Sequence, residues 1–438
     1  TLLKLVEWLK DPLLVSKFQH FYGIQSLDYR KCRDKRNDKS DVKCNCTIVE
    51  KIDAKNILPK ESKVGEELRP RSVDIAECSF CSTSDTASDN GDSSATESDR
   101  LKRSPEYVVR NKFWYYLFSF GAGLGYELFY ASFFPIWFWN IDGAVGRRMV
   151  LLWVIIMYFG QALKDVIKWP RPASPPVIVL EPEYAMEYGM PSTHAMVGFA
   201  LPFSMLIFTY HRYDVSFCFE SRVTVIGVNF SIRCGVVFFL PLSGACSSAD
   251  IVVGLLLSST LLVVLLPLVD VIDQFHLKSL YSPLISVPTI TLMAKFYPKS
   301  DRWSPARGDT CIIMGAGEGI LLGSWLNYQL GIIRGPGLPP PFPIIWPGFN
   351  LLGLGLLRAT IGIICIIAVR AIGKVLVFSI MCYIHKLNPK DPETKIRSSV
   401  EVPCKLIAYM AMGISITYLS PAIFRFLNIE RITMFTEV

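Results

Sequence analysis

From about residue 113 onward the chain keeps returning to apolar runs long enough to cross a bilayer. A crossing helix needs roughly 20 apolar residues. Hydrocarbon offers the backbone no hydrogen bonds, and a helix satisfies its own within one segment. These two constraints predict spans near 113–139, 149–168, 193–210, 223–242, 250–270, 281–297, 311–333, 350–371 and 405–427, with a shorter run at 374–385 at the margin. The fold class is therefore all-α: a polytopic helical membrane protein of about eight to ten spans. Composition agrees, with 51% hydrophobic residues and a mean hydropathy of +0.35, values that soluble domains rarely reach.

What precedes the first long run is different. Leu2, Leu3, Val6, Leu9, Leu13 and Leu14 recur near helical spacing, so residues 1–22 read as an amphipathic helix lying on a membrane surface or packing on the bundle. Residues 28–104 are polar, with a Ser/Asp/Thr-rich tract at 79–99, too poor in apolar surface to offset the entropy of ordering. Arg100, Lys102, Arg103, Arg110 and Lys112 place the N-terminus in the cytosol by the positive-inside rule, while Arg147 and Arg148 argue the other way. No cleavable signal peptide is visible. The net charge of +7 comes from scattered basic residues, which excludes a nucleic-acid patch. Cys44, Cys46, Cys78 and Cys81 form close pairs without a nearby histidine, so free thiols are expected and no metal.

Two short strings carry the chemistry. Lys164 and Arg171 stand seven positions apart at the exit of the second span, with Pro170 and Pro172 stiffening the turn. Lysine brings a point charge and arginine a planar fork, the pair suited to a phosphate; a snorkelling Lys164 is the structural alternative. Pro191-Ser192-Thr193-His194 opens the third span, where unpaired helix amides and the Ser192 and Thr193 hydroxyls can receive an anion. His194 in the first turn has the right chemistry to protonate a leaving oxygen; an N-cap followed by an interfacial histidine is the plainer reading. The third and fourth spans make a round trip, so Asp250 at the mouth of the fifth returns to the same face. Glu181, Glu183 and Glu187, in the loop between the strings, either steer a cationic group of a substrate or form solvated surface charge. Glu127, Arg233 and Arg358 are further charges at or within spans, as in a transporter, but no internal repeat accompanies them.

Lys164 through Pro172 resembles the first signature of the type 2 phosphatidic acid phosphatase family, and Pro191 through His194 resembles the second, with Thr193 where many members carry glycine. Within that family, Glu127 to Tyr130, Gly146-Arg147-Arg148, Trp169 to Pro176, Met190 to Met196 and Arg307 to Thr310 resemble the sphingosine-1-phosphate phosphatases. The resemblance implies a helix bundle in the endoplasmic reticulum membrane that needs no metal or cofactor. It implies a phosphorylated sphingoid lipid as substrate: Lys164 and Arg171 hold phosphate, Ser192 and Thr193 add hydrogen bonds, and His194 is the general acid. It divides the chain into an N-terminal helix (1–27), a disordered cytosolic segment (28–104), the family core (105–275) and C-terminal transmembrane helices (276–438).

The third signature of the family, Ser-Arg, five residues, His, three residues, Asp, is incomplete. Anchored on Asp250 it puts Cys246 where the nucleophilic histidine is expected and Phe239-Leu240 where Ser-Arg is expected. Ser221-Arg222 is a Ser-Arg pair far outside the spacing. His211 and His276 lie about 25 Å and about 39 Å along their helices from His194 and Asp250, and His20 and His385 belong to remote segments. Three readings stay open: residues 213–249 are a misread stretch of a normal enzyme, the chain is a catalytically impaired member that binds lipid phosphate, or Cys246 attacks as a thiolate.

Overall fold

A computed structural model describes residues 8–26, 107–123, 127–174, 176–180, 187–214, 246–298, 300–301, 304–335, 340–343, 348–431 and 433–437. The tract at 28–104, the 223–242 span, Glu181, Glu183, Ser221-Arg222, Arg233 and Phe239-Leu240 lie outside these residues.

The N-terminal helix is α1 (Pro12–Phe21), capped by the Asp11 carboxylate, which accepts from the Leu13 amide. It packs on the bundle. Gln19 is buried, donating to the Ile178 carbonyl (2.7 Å) and accepting from the Ile178 amide (3.0 Å), so α1 braces the stretch that joins the two signature strings. A small ribbon of β1 (Ile24–Ser26) antiparallel to β2 (Tyr107–Val109) follows, the one departure from helix among the named elements.

Over the expected 113–139 span the described residues form α2 (Lys112–Gly123) and α3 (Glu127–Asn140). Then come α4 (Gly143–Ile167), α5 (Thr193–Arg212), α6 (Ser248–Lys278), α7 (Ser282–Lys295), α8 (Ala306–Gln329), α9 (Phe349–His385), α10 (Pro392–Ile396), α11 (Ser398–Ile414), a π-helical turn (Ser415–Leu419) and α12 (Ser420–Phe426). Among the described residues, five stretches are long and apolar enough to cross a membrane: α4, α5, α6, α9 and the continuous run from α11 to α12. The runs at 350–371 and 374–385 are one 37-residue helix, about 55 Å long. The 281–297 run has only 14 helical residues, and α8, expected as a span at 311–333, carries Arg307, Asp309 and Glu318. Between the 374–385 run and the last expected span, the charged stretch at 386–403 contains α10 and the start of α11.

α8 is the buried centre of the C-terminal half. Gly315, Gly319 and Gly323 recur every fourth residue, and a Cβ on each would strike α11 or the π turn, at Leu406, Met410 or Thr417. Small residues at that spacing let helix backbones approach within lipid. Gly319→Val should therefore lower stability by about 1–3 kcal/mol through overpacking. Thermal unfolding in detergent checks this, and an unchanged midpoint contradicts it. The π turn frees carbonyls that side chains then use: Trp139 Nε1 donates to Ile416 O (2.9 Å) and Asn327 Nδ2 to Thr417 O (2.7 Å).

At the N-terminal end of α4, Asp142 caps the helix and also accepts from Arg212 and Tyr213, both at 2.6 Å. Arg147 is 2% exposed and pairs with Asp273 at 2.8 Å. Arg147 is thus a buried tie between α4 and α6, and its weight as an orientation signal disappears. These ties fix one end of α4, α5 and α6. The other end carries both signature strings.

Candidate active site

Three helix termini meet at that end: the exit of α4, the start of α5 and the start of α6. α4 ends at Lys168, whose left-handed backbone (φ 53°) turns the chain before either proline is reached, while its amide bonds Lys164 O. Ser192 caps α5 by accepting from Ala195 N (3.4 Å) and donates its own amide to Asp250 O (3.1 Å). Close approach is built in with small residues. A Cβ on Gly254 would lie 2.7 Å from Ser192 O, one on Gly160 would lie 2.9 Å from Thr193 Cγ2, and one on Gly189 would lie 3.0 Å from Asp250 Oδ2.

Lys164 does not snorkel. It is 4% exposed, and its ammonium donates to Glu187 Oε2 at 2.8 Å. Arg171 reaches the same residue twice, Nε donating to Glu187 O (2.9 Å) and Nη2 standing 3.8 Å from Glu187 Oε2. One carboxylate oxygen therefore sits between two cations contributed by sequence positions on either side of a helix end. His194 lies within electrostatic range of Lys164, Glu187 and Arg171. Ser192 and Thr193 are buried beside it. Burial pushes the Glu187 carboxyl up, but the Lys164 ammonium, then Arg171 and His194, outweigh it and hold the group below the usual carboxylate range.

Asp250 is fully buried and does two things. Its Oδ2 accepts from Ser247 N (2.7 Å) in a capping box that starts α6, and its Oδ1 is buried without a hydrogen-bond partner. Cys246, immediately before the cap, is buried with its Sγ 3.4 Å from Ser192 Oγ. Burial pushes the Cys246 thiol up; Arg171, the Ser192 bond and Lys164 oppose the rise and Asp250 adds to it. The thiol form therefore dominates at neutral pH, which weakens a thiolate reading.

Lys164, Arg171, Ser192, Thr193, His194, Cys246 and Asp250 are thus gathered at one end of three helices. Glu187 is the addition. It is 3% exposed, which excludes solvated surface charge, and the only sequence signal for it was its place between the two strings. Such an arrangement can bind an anion between Lys164 and Arg171 and pass it a proton from His194. Among the described residues no group of three or more His, Cys, Asp or Glu could hold a metal ion.

No family model and no solved structure matches the chain. Curated relatives do. It is 41% identical to sphingosine-1-phosphate phosphatase 1 of Rattus norvegicus over 319 residues, 72% of this chain and 73% of that protein. It is 38% identical to sphingosine-1-phosphate phosphatase 2 of Mus musculus over 328 residues, 74% of this chain and 91% of that one. A dihydrosphingosine 1-phosphate phosphatase of Schizosaccharomyces pombe is 26% identical over 233 residues, 52% of this chain and 56% of that protein.

Proposed function

The chain belongs to the family of sphingosine-1-phosphate phosphatases, and from that premise we propose that it hydrolyses the phosphate monoester of sphingoid-base 1-phosphates within a membrane. The observation that carries the reading is the convergence of Lys164 and Arg171 on one anionic oxygen, that of Glu187, with His194 within electrostatic range of all three. Two cations facing a single oxygen are what a phosphoryl group requires, because spontaneous phosphate-ester hydrolysis is so slow that charge stabilisation and positioning must supply most of the acceleration.

In this reading Lys164 and Arg171 neutralise the phosphoryl oxygens, and Ser192 and Thr193 add donors at the start of α5. The group at position 246 faces phosphorus, oriented by Asp250. As its bond to phosphorus forms it passes its own proton to Asp250, the ester bond to the lipid oxygen breaks, and His194 gives its proton to the departing alkoxide. Water then releases inorganic phosphate and restores the attacking group. The apolar faces of the spans take the lipid chain. The family core runs over 105–275 and the C-terminal transmembrane helices over 276–438, in a bundle of about eight to ten crossings of the endoplasmic reticulum membrane whose catalytic face points to the lumen.

The test is release of inorganic phosphate from sphingosine 1-phosphate and dihydrosphingosine 1-phosphate by the purified full chain in detergent micelles, without added metal and with a chelator present. Turnover of both lipids is expected. Tight binding with no release identifies a lipid-phosphate-binding member instead, and neither binding nor release overturns the reading.

A further inference from the structure

Glu187 is at odds with a site built only to hold phosphate. Its Oε2 stands 2.8 Å from Lys164 Nζ and 3.8 Å from Arg171 Nη2, where a phosphoryl oxygen has to go. A phosphate that takes Lys164 and Arg171 must displace this carboxylate. The residue is only 3% exposed, so the displaced charge does not simply pass into water.

Charge balance says what can relieve it. Lys164 and Arg171 together with Glu187 leave one positive charge in excess. A phosphate monoester brings up to about two negative charges, so a plain alkyl phosphate overfills the site by about one. A buried carboxylate left without a counter-charge is costly. A sphingoid-base 1-phosphate differs in one respect: it carries an ammonium on the carbon next to the one bearing the phosphate. That cation enters with the phosphate, lies beside it, and offsets the charge of the displaced Glu187 carboxylate. Asp250, the other carboxylate of the cluster, keeps its Oδ2 on the Ser247 amide at the α6 cap, whereas Glu187 is the carboxylate that holds the place between Lys164 and Arg171 and is displaced by the phosphate.

We propose that Glu187 is the specificity-determining residue of this site: it holds the cation places in the absence of substrate, and pairs with the substrate's 2-ammonium once the phosphate displaces it. This rests on the hydrolase reading above and names the feature that the site selects. The lowered titration of Glu187 is in keeping with it, since the carboxylate is charged when the lipid arrives.

The experiment compares sphingosine 1-phosphate, its N-acetylated form and an unsubstituted octadecyl phosphate, on the full chain and on Glu187→Gln and Glu187→Asp. It reads both kcat/KM for phosphate release and equilibrium binding in the same micelles. The unmodified chain should favour the free amine over either other lipid by at least tenfold. Glu187→Gln should reduce that preference at least fivefold, weakening the amino lipid while improving octadecyl phosphate, which no longer faces a competing anion. Glu187→Asp, which keeps the charge, should retain most of the preference. Equal handling of amine and N-acetyl lipids by the unmodified chain overturns the proposal, and this arm needs no variant to fold. A parallel loss on all lipids in Glu187→Gln also overturns it, by assigning the residue a structural role. If no lipid is hydrolysed, the hydrolase reading fails and the binding preference alone decides the proposal. If all are hydrolysed with equal kcat/KM and bound equally, the hydrolase reading stands and the proposal falls.

Discussion

Replacing Cys246 by histidine together with Leu240 by arginine should raise phosphate release from sphingosine 1-phosphate by about 10²-fold or more, the effect expected of one well-placed stabilising group even before a better nucleophile is counted. Cys246 is 5% exposed, and burial pushes its titration up despite Arg171 and Lys164 nearby, so little thiolate is present at neutral pH. A neutral imidazole needs no such ionisation. Beside it, Asp250 Oδ1 is buried and unpartnered, the acceptor that a ring N–H at position 246 would use to fix its tautomer and aim its other nitrogen. Leu240 occupies the place of the signature arginine, ten positions before Asp250, so the second replacement adds a fork for phosphate. The single replacements separate the contributions. No gain in the double variant, with activity abolished in Cys246→Ala, would identify the thiol as the attacking group. Thermal unfolding controls for crowding against Ala195 and Ile251, which pack around Cys246.

The parts of this site that a linear reading can find are those whose meaning is local. Lys164 with Arg171, and Ser192 with His194, sit within short strings at helix ends, where capping and proline placement already imply an exposed terminus facing an anion. Glu187 is different. A glutamate in a polar loop reads as solvated charge, and what buries it is a pair of cations 23 and 16 positions away. The same holds for the helices. A linear reading sets the shorter 374–385 run apart from 350–371, yet Arg370 donates to the Tyr409 hydroxyl across the α9–α11 contact and the helix runs on. Arg358, which resembled a transport charge, donates to Ile429 O and Asn140 and serves as a tie. α8 reads as one more span by hydropathy; what the reading misses is that its glycine face is spent on α11, and that Glu318 accepts from Ser286 of α7 at 2.5 Å beside His276. In each case the partner lies in another helix, and hydropathy carries no information about partners.

His194→Asn should reduce turnover of sphingosine 1-phosphate by about 10²–10⁴-fold, the usual contribution of a positioned acid–base group. Asparagine keeps a polar side chain of similar reach in the first turn of α5 but has no proton to give at working pH. The departing group of a sphingoid phosphate is an alkoxide, which is expelled poorly unless it is protonated as the ester bond breaks. The loss must then depend on the leaving group. An aryl phosphate, whose phenolate leaves without help, should lose far less than the lipid in the same variant, while the loss on the lipid falls mainly on kcat. A purely structural role predicts something else. His194 stands among Lys164, Glu187 and Arg171, so disturbing their arrangement would weaken phosphate binding and penalise aryl and alkyl esters equally. Measuring both esters, in the background of the more active of the unmodified chain and the Cys246→His, Leu240→Arg variant, separates the two. A tenfold or greater difference between the two losses places the proton on His194, and equal losses remove it from that role.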